Sequence, residues 1–111
     1  MEREPAVYML ASTFHGTLYV GVTSNLLARI HQHRLATSGF TARYRVHRLV
    51  WFESHDRMES AIAREKSIKR WLRAWKYALV EAGNPAWRDL AEDFAFEPLL
   101  RGQVGPGSSP G

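Results

Sequence analysis

The chain has 111 residues, which fits one domain, and 45% of them are hydrophobic, enough to build a single core. It has no cysteine, which excludes a disulfide framework and a thiolate metal site. No apolar run reaches the length of a signal peptide or a membrane span, so a cytoplasmic protein without membrane contact is expected. The net charge of +4 is uneven, because twelve Lys and Arg stand against four Asp and Glu between Arg29 and Lys76. This basic middle favours a polyanionic partner, with the solvated face of a small basic protein as the alternative.

The first predicted element is a β-hairpin. Residues 6–12 (AVYMLAS) and 17–23 (TLYVGVT) are rich in β-branched and aromatic residues. The short turn between them, TFHG, closes at Gly16.

The hairpin carries two tyrosines, Tyr8 and Tyr19. A turn centred on residues 13 and 14 places them roughly opposite each other, so that both rings share one face, whereas a one-residue slip would separate them. Gly21 would leave this face open beside the rings. Aromatic cross-strand pairs also stabilise hairpins without any chemistry, so the pair has a structural explanation as well.

A helix is predicted next, over residues 26–37. Arg29 and His33 lie four residues apart along one flank of its apolar side, where packing alone requires neither residue. The alternative is that both are ordinary surface residues. The apolar side consists of Leu26, Leu27 and Ile30, and the candidate caps are Thr23, Ser24 and Asn25.

A basic connector, residues 40–48, leads to a third strand over residues 48–54. A second helix is predicted from residue 58 to about residue 73, with a continuation to residue 82 also compatible with the pattern. Its candidate cap is Asp56, and Trp71 and Trp75 are expected in the core, with stacking on unpaired bases as the alternative.

Gly83 is the expected terminator of this helix, and Asn84 with Pro85 suits the start of another short helix. Residues 1–100 are assigned to the domain, and the Gly/Pro/Ser-rich residues 101–111 to a disordered tail.

Glu65 is the most informative single residue. On a helical wheel it falls between Ile62 and Ile68, in the middle of the apolar stripe. A carboxylate there is desolvated, which is costly unless a cation compensates. The cation is either a metal ion or a Lys or Arg from elsewhere in the chain, such as Arg29, and a structural salt bridge remains open.

These residues, in this order, resemble the signature of the GIY-YIG endonuclease superfamily. The resemblance is to its small stand-alone bacterial members and runs from about residue 6 to residue 90. The first glycine of the signature is replaced by Ala6, and both isoleucines are replaced by valine. The matching positions are Ala6-Val7-Tyr8, Tyr19-Val20-Gly21, Arg29, His33, Glu65 and Asn84.

The resemblance implies a small α/β (α+β) domain with a three-stranded antiparallel sheet flanked by helices. It also implies a metal-dependent endonuclease acting on DNA phosphodiester bonds, with a role in repair or recombination and no small-molecule cofactor. Glu65 would hold one Mg²⁺ or Mn²⁺, and Arg29 would bind the phosphate. Tyr8 would act as general base, helped by nearby cations that favour its phenolate, and His33 would accept or orient its proton.

The remaining roles follow in the same way. Tyr19 would hydrogen-bond the water or phosphate, and Asn84 would add a neutral hydrogen bond to the pocket. The residues expected to contact the nucleic-acid backbone are Arg43, Arg45, Arg48, Lys66, Lys69, Arg70, Arg73 and Lys76.

Two other classes stay open. One is a nucleic-acid-binding module without catalysis, in which the carboxylate of Glu65 is a salt-bridged structural group. The other is a small interaction protein whose basic surface meets an acidic partner.

Overall fold

The computed structural model describes residues 4–94, and their core is a three-stranded antiparallel sheet. The strands are β1 (Ala6–Ala11), β2 (Leu18–Thr23) and β3 (Arg48–Ser54), in the order β2-β1-β3. The predicted α/β class with a small antiparallel sheet flanked by helices is therefore confirmed. The predicted disordered tail, residues 101–111, lies outside the described residues.

Four α-helices and one 3₁₀ helix surround the sheet within the described range. None of them has the length and apolar character needed to cross a bilayer. They are α1 (Leu26–Leu35), α2 (Phe40–Arg43), α3 (Met58–Lys69), α4 (Arg73–Gly83) and the 3₁₀ helix Leu90–Phe94.

The central strand β1 is buried along its whole length, and its side chains divide between two different cores. Val7, Met9 and Ala11 point to a cluster that includes residues of α3 and α4, and we call this side the apolar face. Tyr8 and Leu10 point the other way, into a cluster that includes Ile30 of α1. Alternation along the strand therefore separates two environments rather than core from solvent.

The hairpin register differs from the prediction by two residues. The partner of Tyr8 is Gly21, and the partner of Tyr19 is Leu10. The reason is that the turn is centred one residue later, with the Gly16 amide bonded to the Thr13 carbonyl at 3.0 Å. Because side chains alternate with a period of two, a shift of two leaves both tyrosines on one face, as expected.

The predicted long second helix is wrong, because the chain forms α3 and α4 as separate helices. The break falls at Leu72, whose extended backbone (φ −63°, ψ 151°) caps α4. No glycine or proline marks this position. The N-terminal cap of α3 is Arg57, not Asp56, and it makes no side-chain cap bond.

The ends of the helices also differ from the pattern. Asn25 caps α1 through its side-chain oxygen, which accepts the Ala28 amide at 3.1 Å, but the helix ends at Leu35 rather than residue 37. Gly83 is the last residue of α4 instead of its terminator, and no helix starts at Pro85.

The predicted basic connector contains α2, which ends in a Schellman motif. The Val46 amide bonds to the Thr41 carbonyl at 2.9 Å, and the Arg45 amide bonds to the Ala42 carbonyl at 3.3 Å. Arg45 has φ +56°, in the left-handed region that favours glycine. Thr41 and Val46 are both buried, which fixes this short helix against the domain.

The outer edge of β3 is closed by side chains of the segment after α4. Asn84 Nδ2 donates to the Val50 carbonyl at 3.1 Å, and Asp89 Oδ1 accepts the Leu49 amide at 3.1 Å. Asp89 Oδ2 also pairs with Arg34 at 2.6 Å, which ties this segment to α1. Strand edges that carry such partners are not free to pair with another chain.

Candidate active site

Two tyrosines, a histidine and an arginine form one group on the side of the sheet opposite the apolar face. The Tyr8 hydroxyl lies 2.8 Å from His33 Nε2. The Tyr19 ring lies 6.2 Å from the Tyr8 ring and 5.2 Å, edge-on, from the imidazole of His33. We call Tyr8, Tyr19, Arg29 and His33 the phenol cluster. Its members come from β1, β2 and α1, which the hairpin and the following helix bring together.

Gly21 is required by the position of Tyr8. A Cβ atom built at Gly21 would lie 2.5 Å from Tyr8 Cζ, a separation that real Cβ atoms do not show. The prediction of open space beside the rings is therefore wrong, because the Tyr8 ring fills that space. Tyr8 is 0% exposed, whereas Tyr19 and Arg29 are half-buried and form the accessible part of the cluster.

The phenol of Tyr8 retains its proton more firmly than a free tyrosine. Burial raises the pKa of Tyr8 well above its ordinary value of 10.0, and the neighbouring Tyr19 adds to this rise. The Arg29 guanidinium opposes the rise through its charge and its hydrogen bonding, but it does not outweigh burial. Arg29 favours the phenolate, as expected, but it lowers the pKa of Tyr8 by less than burial raises it.

His33 is the proton acceptor nearest to this phenol. Burial lowers the pKa of His33 below 6.5, and the charge of Arg29 and the neighbouring His47 lower it further, so the imidazole is neutral at pH 7. A neutral imidazole donates from one nitrogen and accepts at the other. Donation from the Tyr8 hydroxyl to Nε2, and from Nδ1 to Thr41 Oγ1 at 3.3 Å, satisfies both atoms.

Thr41 is the residue of this site that sequence reasoning missed. It is 5% exposed, although it lies in the segment predicted as a basic connector. The available signal was weak: a small polar residue followed by alanine, between exposed aromatic and basic side chains. Its hydroxyl orients the His33 ring from α2.

Glu65 is buried as predicted, but its surroundings differ from the prediction. The residue is 8% exposed and lies between Ala61 and Ile68 on the buried side of α3, whereas Ile62 is 36% exposed. Its carboxylate pairs with Lys69 Nζ at 2.6 Å, so the compensating cation is on the same helix and is not Arg29.

Glu65 also approaches the sheet from the other side. Ala61 and Ile68 belong to the cluster on the apolar face, opposite the side chain of Tyr8. Among residues 4–94 no hydrogen bond or ion pair joins Glu65 to the phenol cluster. The helix does pack on both β1 and β2, the strands that carry the two tyrosines.

A divalent ion can be assessed from the donor set. The described residues contain no group of three or more His, Cys, Asp or Glu side chains placed to hold a metal ion. Mg²⁺ is commonly held by one or two carboxylates together with waters and substrate phosphates. The single buried carboxylate of Glu65 fits an ion of that kind, shared with a phosphate, and does not fit an ion caged by protein alone.

Asn84 has a structural role in this chain. Its two N–H groups are both engaged, one with the Val50 carbonyl and one with the Arg88 carbonyl at 2.9 Å. Its side-chain oxygen accepts the Arg88 amide at 3.1 Å. The residue is 6% exposed and forms the C-terminal cap of α4, so the amide has no free donor for a substrate.

The predicted backbone contacts are mostly on the surface. Arg48 and Lys76 are exceptions, because both are half-buried, and Arg48 donates to the Trp87 carbonyl at 3.0 Å. Trp71 packs against the apolar cluster, but Trp75 is 56% exposed, so its assignment to the core is wrong. The exposed basic residues of the set are Arg43, Arg45, Lys66, Lys69, Arg70 and Arg73.

Comparison with known families agrees with the arrangement of the hairpin and helix. The sequence model described as the GIY-YIG catalytic domain matches residues 4–78, which contain the whole phenol cluster and Glu65. Comparisons with curated proteins and with solved structures give no significant match. Since the match covers well over half of the chain, the protein belongs to the GIY-YIG family of nuclease catalytic domains.

Proposed function

We propose that this protein is a metal-dependent endonuclease that hydrolyses phosphodiester bonds of DNA. The observation that carries the proposal is the hydrogen bond of 2.8 Å between the Tyr8 hydroxyl and His33 Nε2, with Tyr19 and Arg29 beside it. A phenol bonded to a neutral imidazole is a path along which a proton can leave an attacking water. A purely structural hairpin does not need this path.

The residues of the phenol cluster differ in accessibility, and their proposed roles differ accordingly. Arg29 and Tyr19 are half-buried, so they meet the scissile phosphate first, and the planar guanidinium binds its oxygens. The attacking water enters between these two side chains and reaches the Tyr8 hydroxyl. Tyr8 takes a proton from this water while its own proton moves to His33 Nε2. This concerted transfer needs no free phenolate, which the raised pKa of Tyr8 would disfavour.

Glu65 is the residue that would hold one Mg²⁺ or Mn²⁺. A bound divalent ion would supply neutralisation of the charge that develops on the phosphate and the leaving oxygen. Because α3 lies on the side of the sheet opposite Tyr8, this requires the phosphate to be shared across the edge strand β2, on which α3 packs. The carboxylate is desolvated and is paired with Lys69, whose ammonium compensates its charge as a bound metal ion would. Lys69 is half-exposed and flexible enough to leave the carboxylate for a phosphate of the substrate.

The exposed arginines and lysines support binding to nucleic acid along its backbone. Such contacts give affinity that falls with salt and carry little sequence information. Selection by structure therefore fits the chain better than selection by sequence, and a role in DNA repair or recombination is compatible with this.

One observation favours a second candidate, a nucleic-acid-binding module without catalysis. That candidate requires Glu65 to be a salt-bridged structural group, and the Glu65–Lys69 pair has this form. A binding module gives no role to the hydrogen bond between Tyr8 and His33, and we therefore rank this candidate second.

A cleavage assay separates the two candidates. Supercoiled plasmid and labelled duplex, branched and single-stranded oligonucleotides are incubated with and without Mg²⁺ or Mn²⁺. We expect nicking that depends on the ion, and a loss of about 100-fold or more in Glu65→Gln with DNA binding retained. Glu59→Gln is the matched control, because it removes the same charge from an exposed position of α3.

The outcomes are distinct. Full activity of Glu65→Gln would remove the metal assignment. Absence of cleavage by the wild-type protein on every substrate, together with salt-sensitive binding to DNA, would establish the binding module instead.

A further inference from the structure

Two large aromatic side chains remain exposed at α2, one on its first residue and one at its C-terminal cap. Phe40 and Tyr44 are each 45% exposed, and their rings lie 4.8 Å apart at an angle of 44°. They stand four residues apart, so that both project from one side of the short helix. We call Phe40 and Tyr44 the aromatic platform.

The aromatic platform continues the phenol cluster toward solvent. The Phe40 ring lies 5.9 Å from the ring of Tyr19, which in turn lies 6.2 Å from the ring of Tyr8. A row of four rings therefore leads from the buried phenol to the surface. A ligand that reaches Tyr19 and Arg29 has the aromatic platform as its immediate neighbour.

The surroundings of the aromatic platform suit a polyanion. Arg43 lies over the Tyr44 ring with Cζ 5.5 Å from its centroid, and Arg45 next to it is exposed. Residues 5–52 contain no Asp or Glu at all. An open cleft of about 550 Å³, lined by both rings and Arg43, lies beside them. Aromatic faces combined with unopposed arginines are the usual features of surfaces that hold single nucleic-acid strands.

The aromatic platform is held rigidly with respect to the phenol cluster. Its helix is closed by the two bonds of the Schellman motif, and Val46 anchors it in the core. Thr41, between the two rings in sequence, contacts His33 Nδ1 at 3.3 Å. A base bound on the rings would therefore have a fixed position relative to the imidazole.

We propose that the aromatic platform stacks an unpaired nucleobase next to the scissile phosphate. In a perfect duplex both faces of every base are covered by neighbours, so only an unstacked base can occupy it. The preferred substrate is then DNA with unpaired bases, such as a bulge, gap or flap, rather than uniform duplex. This inference rests on the proposed function for its biological meaning, but the binding of a base can be tested without cleavage.

The test uses oligonucleotides that carry 2-aminopurine, whose fluorescence falls on stacking, in EDTA so that no hydrolysis occurs. One probe has the label in a single-base bulge, and the other has it fully paired. We expect wild-type protein to quench the bulged probe. In Phe40→Leu and Tyr44→Leu, which keep apolar bulk without a ring, quenching is lost and the bulged probe binds roughly 5- to 100-fold more weakly. Binding of the paired probe changes by less than about twofold.

Two controls exclude a general effect. Phe14→Leu removes an exposed ring from the hairpin turn, where it stacks on His15, and should leave quenching unchanged. Tyr44→Trp keeps an aromatic ring at this position and should retain quenching. Unaltered quenching in both leucine variants, or an equal loss on paired and bulged probes, would overturn the proposal.

This experiment also separates the present inference from the proposed function. If the wild-type protein cleaves no DNA but the leucine variants lose quenching, the aromatic platform stands and the nuclease assignment fails. If cleavage occurs and quenching does not depend on Phe40 or Tyr44, the nuclease assignment stands and the aromatic platform fails.

Discussion

The two sides of the β-sheet are equally buried but differ in chemistry. On the apolar face, Val7 and Met9 pack with Ala61 and Ile68 of α3, and Glu65 is a buried charged residue on the same side of that helix. On the other side, Tyr8, at 0% exposure, bonds to an imidazole and lies beside a guanidinium. The same strand thus contributes only packing residues to the apolar face, and one reactive group, the phenol of Tyr8, to the other side.

The buried positions of Tyr8 and its neighbours show that the candidate site is part of the core rather than an addition to the surface. Burial of Tyr8 and His33 shifts both pKa values in the direction that keeps the groups uncharged. Stability and reactivity should therefore separate by sheet face for the residues of β1 and their neighbours, whereas Glu65, on the helix that covers the apolar face, is the proposed metal ligand. Substitutions on the apolar face should reduce the free energy of unfolding, and substitutions in the phenol cluster should reduce catalysis.

Tyr8→Phe should have a stronger effect on cleavage than any other single change considered below. Removal of the hydroxyl deletes the proton path and should lower the rate of DNA cleavage by about 100-fold or more, while the ring still fills the space over Gly21. Stability should change by only about 1 kcal/mol, the value of one hydrogen bond. Single-turnover cleavage and urea unfolding measure the two effects. A wild-type rate in this variant would show that the Tyr8–His33 bond is structural.

Met9→Ala tests the apolar face of the sheet. Met9 is 0% exposed, so its truncation should reduce the free energy of unfolding by about 2–5 kcal/mol, while the folded fraction keeps its cleavage rate. Met58→Ala is the matched control, because Met58 is 36% exposed on α3 and should cost far less. A large loss of catalysis per folded molecule in Met9→Ala would contradict the division between the faces.

Gly21→Ala tests how closely the phenol cluster is packed. The added methyl group meets the Tyr8 ring and should cost about 1–3 kcal/mol, with loss of cleavage as the ring is displaced. Gly83→Ala serves as the control, since its Cβ would meet no atom within 4 Å and the position is helical. Equal stability of the two alanine variants in urea would mean that Tyr8 does not occupy the space over Gly21.

The smallest expected effect concerns pH. His33 accepts a proton only when neutral, and burial lowers its pKa, so the loss of cleavage in acid should begin at a lower pH than an ordinary histidine would give. Below the lowered pKa the rate of cleavage should fall by about tenfold per pH unit. His33→Asn should remove this acid limb, and His31→Asn, at an exposed position of α1, should keep it. A limb that persists in His33→Asn would assign the titration to another group.

The strand pattern of residues 6–23 made the hairpin predictable, and the order of the signature residues made most of the site predictable. The register was wrong by two residues, yet Tyr8 and Tyr19 share a face because parity survived the shift. The break at Leu72 was not predictable, since neither glycine nor proline marks it in the sequence. The i,i+4 spacing of Glu65 and Lys69 is visible in the sequence. Only the structure shows that the buried side of α3 carries Ala61, Glu65 and Ile68.

The closure of the β3 edge by Asn84 and Asp89 has a consequence for where the functional unit ends. Family similarity stops at residue 78, before both side chains. A fragment cut at that limit would expose the Leu49 amide and the Val50 carbonyl as an open template for intermolecular strand pairing, and would be expected to aggregate. A working version of this domain in a fusion or a truncation series must therefore extend at least through Asp89.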